Sequence, residues 1–449
     1  MNQLETSNDN VLGKTFHFSS LLRFALPTIC MMIFMGLYTI VDTIFVSRFV
    51  NTYALSAINI CSPVLYFIIG LASMLATGGS AIIGRKLGEG KINEASNTFT
   101  FIICFGCVFA IIITIFGILF LTPLLKVLGA SSTLLPYCKE YLFIQFCFVI
   151  FNIVSALFQN LFVTAGKPSL GFISSIVSGI LNIILDYIFI VIFDFGILGA
   201  SLGTSIAYTI TTIVGIIYFS KNKHGLHFVP PIFQKDVLLE SCLNGSSEMV
   251  TQLSTAITTF FFNITMMRLV GEDGVAAITV IIYSQLLLTT LYIGFSIGVS
   301  PIFSFNYGCK NTVQLKNTFK ICIQFLTISS ISIFLLALLG GPIIANIFAS
   351  KESAVYQLII EGFRIFPFSF LFCGFNIFSS ALFTALSNGK TSAIISFLRT
   401  FVFVTISIFT LSSLFGITGV WLAVPLAELL SLFIAIYCIY INKNKYHYL

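Results

Sequence analysis

The chain has 449 residues, of which 57% are hydrophobic and only 8% are charged. Because a soluble domain carries roughly 25% charged residues, this composition excludes a soluble enzyme and indicates a polytopic membrane protein. The net charge of +6 then reflects how the loops are distributed across the membrane, and we expect no nucleic-acid partner.

Residues 1–19 are expected to form a polar cytoplasmic tail. Its first part, MNQLETSNDNVLGK, lacks a signal-peptide pattern, and we expect it to be disordered. Apolar runs of roughly 20 residues then follow one another to the C-terminus, each long enough to cross a bilayer as a helix. None alternates in the way that is typical of a membrane β-barrel. The predicted fold is an all-α bundle of twelve transmembrane helices, with the bounds Ser20–Arg48, Thr52–Ala76, Asn97–Leu121, Tyr137–Val163, Leu170–Phe193, Gly199–Phe219, Val237–Arg268, Val275–Phe305, Thr318–Gly340, Ala354–Leu386, Ser392–Phe415 and Gly416–Ile441.

The two halves of the chain resemble each other at an offset of 220 residues. Gly78 and Gly88 recur as Gly298 and Gly308, and the sequence FGILGASL recurs as FGITGVWL. Six predicted helices, an even number, lie within this offset, so both halves cross the membrane in the same direction. Transporters use such parallel repeats. We therefore predict two parallel six-helix lobes around a central cleft.

The repeat also predicts how the chain is divided. We assign residues 20–220 to an N-lobe and residues 237–441 to a C-lobe, with a cytoplasmic linker at 221–236 and a C-terminal tail at 442–449. With both termini inside, sixteen Lys and Arg residues face the cytoplasm and six face the other side. The positive-inside rule therefore predicts cytoplasmic termini, and we expect a bacterial inner membrane.

Ionisable side chains inside membrane-length helices are costly, and by default they are candidates for function. Asp186 lies in an apolar run of the fifth predicted helix, with Asn182 one turn before it on the same face. Counted at about 1.5 Å per residue, four residues reach overlapping depths in the outer half of the N-lobe. We predict that these four form one site: Asp42, Asn182, Asp186 and Thr204.

Two carboxylates, an amide oxygen and a hydroxyl suit either a Na⁺ ion or a transferable proton, because burial and a neighbouring carboxylate both favour the neutral form of a carboxyl group. These residues leave H⁺ and Na⁺ open as the coupling ion and imply no other cofactor. The alternative is that each aspartate only hydrogen-bonds a neighbouring helix. The repeat does not copy these acids into the C-lobe, which favours a single ion site in the N-lobe.

Other intramembrane positions carry further predictions. Pro27 has helix on both sides and favours a kink, unless it marks the start of the first helix. Glu248, in the inner half of the seventh helix, is a candidate to bind a cationic substrate or an ion, with Gln252 one turn further on. Arg399 and Glu428, in adjacent helices, are expected to pair. Further polar residues on apolar helices are candidates to face the cleft and bind substrate: Tyr38, Asn152, Gln159 and Gln285.

Several longer motifs occur together in this chain: ALP at 25–27, YTIVDTIFVS at 38–47, GGSAIIGRKLGEGK at 78–91, LNIILD at 181–186 and SIGVSPIFSFNYG at 296–308. With them, nearly the whole chain resembles the multidrug and toxic compound extrusion (MATE) family, in particular its MepA-like bacterial branch. The resemblance implies twelve helices in two six-helix lobes and export of organic cations driven by H⁺ or Na⁺.

The resemblance also implies roles for single residues. By motif match, the family's N-lobe cation site falls on the same four residues that helix depth selects. Pro27 matches the proline of the family's bending first helix, and Glu248 matches the acidic residue of helix seven. Some members carry an aspartate in helix ten, where Asn376 is the nearest polar candidate here. That departure favours the N-lobe as the ion site.

We therefore expect a monomeric secondary antiporter that exports cationic amphipathic small molecules by alternating access. No P-loop spacing is present, so an ion gradient is the expected energy source. The alternative is a flippase of related fold for lipid-linked oligosaccharides or peptidoglycan precursors. Such a flippase needs a basic cleft, whereas the deep charges here are chiefly acidic. A structural or receptor protein fits the repeat and the paired aspartates less well.

Overall fold

A computed structural model describes residues 11–50, 52–223 and 225–449, and all regular secondary structure in these ranges is helical. The helices that correspond to the twelve expected spans are α1 Phe18–Phe49, α2 Thr52–Gly88, α3 Ile92–Leu119, α4 in two pieces Leu135–Cys147 and Val149–Thr164, α5 Pro168–Asp186 continued by a π-helical turn Tyr187–Ile192, α6 Gly196–Lys221, α7 Lys235–Leu269, α8 Glu272–Gly308, α9 Thr312–Phe348, α10 in pieces Ala354–Ile365, Phe366–Ser369 and Phe370–Ala385, α11 in pieces Gly389–Phe397, Leu398–Val402 and Phe403–Phe415, and α12 Ile417–Tyr446. A short helix, Leu121–Val127, lies between α3 and α4.

Length and composition alone qualify ten of the described helices to cross a membrane, or eleven when the two pieces of α4 count as one span. The all-α polytopic fold is therefore confirmed. Of the twelve expected spans, α7 is the one that does not meet these criteria of length and composition. Helix α7 is long enough, but it carries polar residues such as Glu248, Gln252 and Asn263. Because α7 packs along α2 of the other lobe, much of this polar surface faces protein and not lipid.

Helix α4 is not the single straight span that the sequence predicts, because its two pieces meet at an angle of 54° near Phe148. Hydroxyl groups of neighbouring helices donate hydrogen bonds to backbone carbonyls at this bend. Thr114 on α3 donates a hydrogen bond to the Phe146 carbonyl at 2.7 Å, and Thr212 on α6 donates to the Phe151 carbonyl at 3.2 Å. Side chains that enter the helical hydrogen-bond ladder are a recognised cause of sharp bends.

The N-terminal end of the described chain differs from the sequence prediction in two ways. Helix α1 begins at Phe18, so Pro27 lies inside it, and the alternative that Pro27 marks a helix start is wrong. The expected disorder is wrong for residues 11–14, because Leu12 is buried there, and Phe16 further along the tail is buried as well. Gly13, Lys14 and Thr15 separate these two apolar residues, so the sequence shows no apolar run that would reveal the docked segment.

The two lobes meet where α1 and α2 pack against α7 and α8. Glycines permit this approach: a Cβ at Gly78 would overlap the α7 backbone at Ser241, and a Cβ at Gly245 would overlap the α2 backbone at Met74. The repeated glycines Gly88 and Gly308 face the backbones of α8 and α2, respectively, in the same way. The sequence repeat thus marks the contact between the lobes, which lies in the half of the bundle that carries both termini.

An ion pair adds to this contact near its terminal edge. The Arg85 guanidinium on α2 lies 2.9 Å from the Glu240 carboxylate on α7 and donates a second hydrogen bond to the Ser387 hydroxyl at 2.9 Å. Both lobes are therefore closed against each other at the face that carries the termini.

Replacing Gly245 with alanine is expected to destabilise the protein, because the new methyl group would overlap the Met74 backbone, and overpacking a rigid contact costs about 1–3 kcal/mol. The matched control is Gly340→Ala in α9, where nothing lies within 4 Å of the added Cβ. Thermal unfolding in detergent should show a lower midpoint for Gly245→Ala and an unchanged or higher one for Gly340→Ala. Equal midpoints would contradict the close backbone approach.

Candidate functional site

The polar cluster of the N-lobe is built on the end of α5 and the start of α6. The Asn182 amide, one turn before Asp186, donates hydrogen bonds to Asp186 Oδ1 at 3.4 Å and to Thr204 Oγ1 at 3.3 Å. Asp186 closes the regular part of α5, and a π-helical turn follows it. Such turns often occur at functional sites, and this one places the carboxyl group against α6.

Asp42 reaches the same cluster from α1, and its carboxyl group lies within hydrogen-bonding reach of the Asp186 carboxyl group. The structure therefore brings together all four residues that helix depth selected. Gly203 makes room for them, since a Cβ there would overlap Asp186 Oδ1. Their role in coupling remains a prediction.

Three oxygen atoms of this cluster are buried without a hydrogen-bond partner among the described residues: Asp42 Oδ1, Asn182 Oδ1 and Asp186 Oδ2. A buried polar atom without a partner is costly, and two facing carboxylates also repel each other. A proton shared between the carboxyl groups, or a small cation bound by these oxygens, would relieve both costs. The donor set thus fits H⁺ and Na⁺, the two ions that the sequence leaves open.

Tyrosines border the aspartates. Tyr38 on α1, a predicted substrate-binding residue, hydrogen-bonds the hydroxyl of Tyr208 on α6 next to this site. Sequence reasoning missed Tyr208, although it lies one helical turn after Thr204 and hence on the same face. Tyr38 therefore belongs to the surroundings of the N-lobe cluster, and its substrate role remains a prediction.

A second, separate pocket lies between the lobes and contains Glu248. Helices α2, α4, α7, α8 and α10 all contribute to it, and hydroxyl groups dominate its polar lining: Thr77, Ser80, Thr164, Ser296, Ser300, Ser304 and Thr384, with the amide of Asn160. Glu248 is the one charged side chain in the lining of this pocket within the described chain. An acidic group among hydroxyls in a cleft is suited to a cation.

The other predicted substrate residues lie elsewhere in the described structure. On α4, the pocket is lined by Asn160 and not by its neighbour Gln159, because adjacent helical residues point in different directions. Gln252 packs near Gly70 at the contact between the lobes. Asn152 follows the bend of α4, and Gln285 lies on α8 before the pocket-lining part of that helix. Their roles in binding remain predictions.

The predicted pair of Arg399 and Glu428 is confirmed in the C-lobe. Arg399 Nη2 lies 2.9 Å from Glu428 Oε1, and Arg399 Nε donates to both carboxylate oxygens at 2.9 and 3.0 Å. Asn376 donates further hydrogen bonds to Glu428 Oε2 at 2.7 Å and to its backbone carbonyl at 2.8 Å. This buried carboxylate is thus satisfied by protein groups, in contrast to the N-lobe aspartates.

Comparison with known proteins agrees with this architecture. The sequence model of the MatE family matches residues 27–188 and again residues 249–410. The chain belongs to the MatE family. Its two matches fall on the two halves of the internal repeat. MatE proteins are transporters and not enzymes, so the chain is a multi-pass membrane transporter of the multidrug efflux type.

Curated relatives cover almost the whole chain. "Multidrug export protein MepA" from Staphylococcus haemolyticus is 25% identical over 432 residues, 95% of this chain and 94% of that protein. The protein of the same name from Staphylococcus saprophyticus is 23% identical and covers 96% and 95%. A solved "outward-facing conformation of a multidrug resistance MATE family transporter" has a TM-score of 0.90 at 22% identity, covering 96% and 97%. At this identity the last likeness concerns the fold alone.

Replacing Gly203 with alanine tests whether the position of the Asp186 carboxyl group matters. The added methyl group would overlap Asp186 Oδ1 and move it away from Asn182 and Asp42, so we expect transport per molecule to fall at least tenfold. Efflux from proteoliposomes measures this, with Gly340→Ala as the control. Full transport by Gly203→Ala would contradict the tight geometry of the cluster.

Proposed function

We propose that the protein is a secondary active multidrug antiporter that exports organic cations in exchange for H⁺ or Na⁺. The observation that carries this proposal is the buried pair Asp42 and Asp186, whose oxygens Asp42 Oδ1 and Asp186 Oδ2 lack hydrogen-bond partners in the described chain. The relatives named as multidrug export proteins support the same substrate class. We further propose a monomer in a bacterial inner membrane with cytoplasmic termini, in line with the distribution of Lys and Arg.

Alternating access supplies the transport step of this proposal. In the conformation described, the lobes are closed at the face that carries the termini, where Gly78, Gly245 and the Arg85–Glu240 pair hold them together. With cytoplasmic termini, this is the state that releases substrate to the outside. Uptake of an ion at Asp42 and Asp186 would favour release, and the lobes would then rock to open the other face.

Glu248 is the proposed substrate contact. It lies in the pocket between the lobes, and Arg399, a basic residue close enough to interact with it electrostatically, is paired with Glu428. The pocket thus offers one acidic group to a cationic substrate. A flippase for pyrophosphate-linked precursors would need basic groups at this place, so the lining favours the antiporter.

Replacing Asp42 or Asp186 with asparagine should abolish ion-driven efflux, because a side-chain amide does not take up or release a proton near neutral pH and supplies no negative charge for Na⁺. The matched control is Asp194→Asn, since Asp194 is exposed and its positive φ of 54° also suits asparagine. Efflux of a fluorescent cation from proteoliposomes under an imposed pH or Na⁺ gradient measures the effect and identifies the ion. Gradient-driven efflux by both variants would disprove the coupling role.

Replacing Glu248 with glutamine should raise the KM for monovalent organic cations at least tenfold with a smaller change in maximal rate, because the variant loses charge in the pocket and keeps its shape. Glu272→Gln, an exposed glutamate at the start of α8, serves as the control. Concentration-dependent efflux assays separate the two parameters. An unchanged KM together with a lost response to the ion gradient would instead assign Glu248 to ion binding.

A further inference from the structure

The segment before α1 is attached to both lobes. We call residues 11–17 the strap. At its C-terminal end the strap continues directly into α1 of the N-lobe at Phe18, and the Phe16 ring packs edge-to-face on Phe24 of α1 at 5.9 Å. At its other end, Val11 lies against Gly166 in the turn between α4 and α5, where an added Cβ would be 3.6 Å from Val11. Both ends therefore contact the N-lobe.

The C-lobe holds the backbone of the same segment. Three side-chain amides donate hydrogen bonds to every second carbonyl of the strap: Asn306 on α8 to Leu12 at 3.2 Å, Gln314 on α9 to Lys14 at 2.9 Å, and Asn317 on α9 to Phe16 at 2.7 Å. Leu12 is fully buried between them. All three acceptors are backbone carbonyls, so these hydrogen bonds do not depend on which side chains the strap carries.

The strap crosses the face at which the lobes are closed. Its contact with α8 continues the line along which α1 approaches α8 at Gly294 and Gly298. Separation of the lobes at this face would carry α1 away from α8 and α9, and the strap can then no longer reach both sides. Closure of this face and docking of the strap are thus mutually dependent.

We propose that the strap is a latch. The three hydrogen bonds that it accepts from side-chain amides of the C-lobe stabilise the state that is closed at the terminal face, and the lobes open there only when these hydrogen bonds break. This inference rests on the alternating access of the proposed function. It adds to that function a built-in step that involves neither the ion site nor the substrate pocket. It follows that the side-chain amides of Gln314 and Asn317 on α9 help to set the ratio between the state closed at the terminal face and the state open there.

The test uses the full-length protein in lipid nanodiscs and the double variant Gln314→Leu/Asn317→Leu, which removes two of the three donors. Hydrogen exchange of residues 11–17 reports undocking of the strap. Maleimide labelling of Cys309, quantified by peptide mass against Cys438 in the same molecule, reports opening, because the Cys309 backbone faces Gly88 across the lobe contact. Asn222→Leu removes the hydrogen bond that the Asn222 side-chain amide donates to the Leu226 carbonyl in the linker, and this variant serves as the control.

We expect exchange of the strap and labelling of Cys309 to rise together, roughly tenfold or more for two lost hydrogen bonds, with Asn222→Leu unchanged. Faster strap exchange with unchanged Cys309 labelling would overturn the proposal, as would unchanged strap exchange. If the double variant does not fold, Asn317→Asp removes one donor at constant shape and gives the same two readouts. Neither readout requires transport, so this test can succeed or fail whatever the outcome of the antiport assay.

Discussion

The main physical constraint on this protein is the cost of placing two facing carboxyl groups, each with one buried oxygen that lacks a partner in the described chain, inside an apolar helix bundle. Asp42 and Asp186 come from α1 and α5 and meet within an apolar bundle, and the protein leaves one oxygen of each without a partner. Elsewhere it solves the same problem differently: Glu428 is saturated by Arg399 and Asn376. A carboxylate that is satisfied by protein groups contributes to structure, whereas an unsatisfied pair is suited to exchange a cation with solvent.

The polar cluster of the N-lobe, the pocket and the lobe contact are separate but share helices. Helix α1 carries Asp42 and also packs on α8, whose serines line the pocket beside Glu248. A change of charge at Asp42 would therefore act on a helix that belongs to the candidate ion site and to the lobe contact at once. Pro27 lies within the part of α1 that approaches α8, since Ala25 and Thr28 on either side of it face Gly298 and Gly294. It is the place where the helix lacks a backbone hydrogen bond and bends at least cost.

Sequence reasoning grouped Asp42, Asn182, Asp186 and Thr204 because polar residues in apolar helices are rare and their depth follows from the helical rise. The structure brings the four together, and their role in ion coupling remains a prediction. Sequence reasoning selected Gln159 although the neighbouring Asn160 lines the pocket, because adjacent helical residues point in different directions and the sequence does not show which of two polar neighbours faces the pocket. The strap was not predictable, because its partners Asn306, Gln314 and Asn317 lie about 300 residues away and bind its backbone. Backbone recognition leaves no pattern in the recognised sequence.

We propose above all that Asp42 and Asp186 together bind and release one small cation. Infrared difference spectra of the purified protein in lipid, recorded between alkaline and acidic pH with and without Na⁺, test it directly through the stretching band of protonated carboxyl groups. The account predicts a band that appears on acidification, or that Na⁺ suppresses, and that is missing in both Asp42→Asn and Asp186→Asn. A band that persists unchanged in both variants, with and without Na⁺, would contradict it.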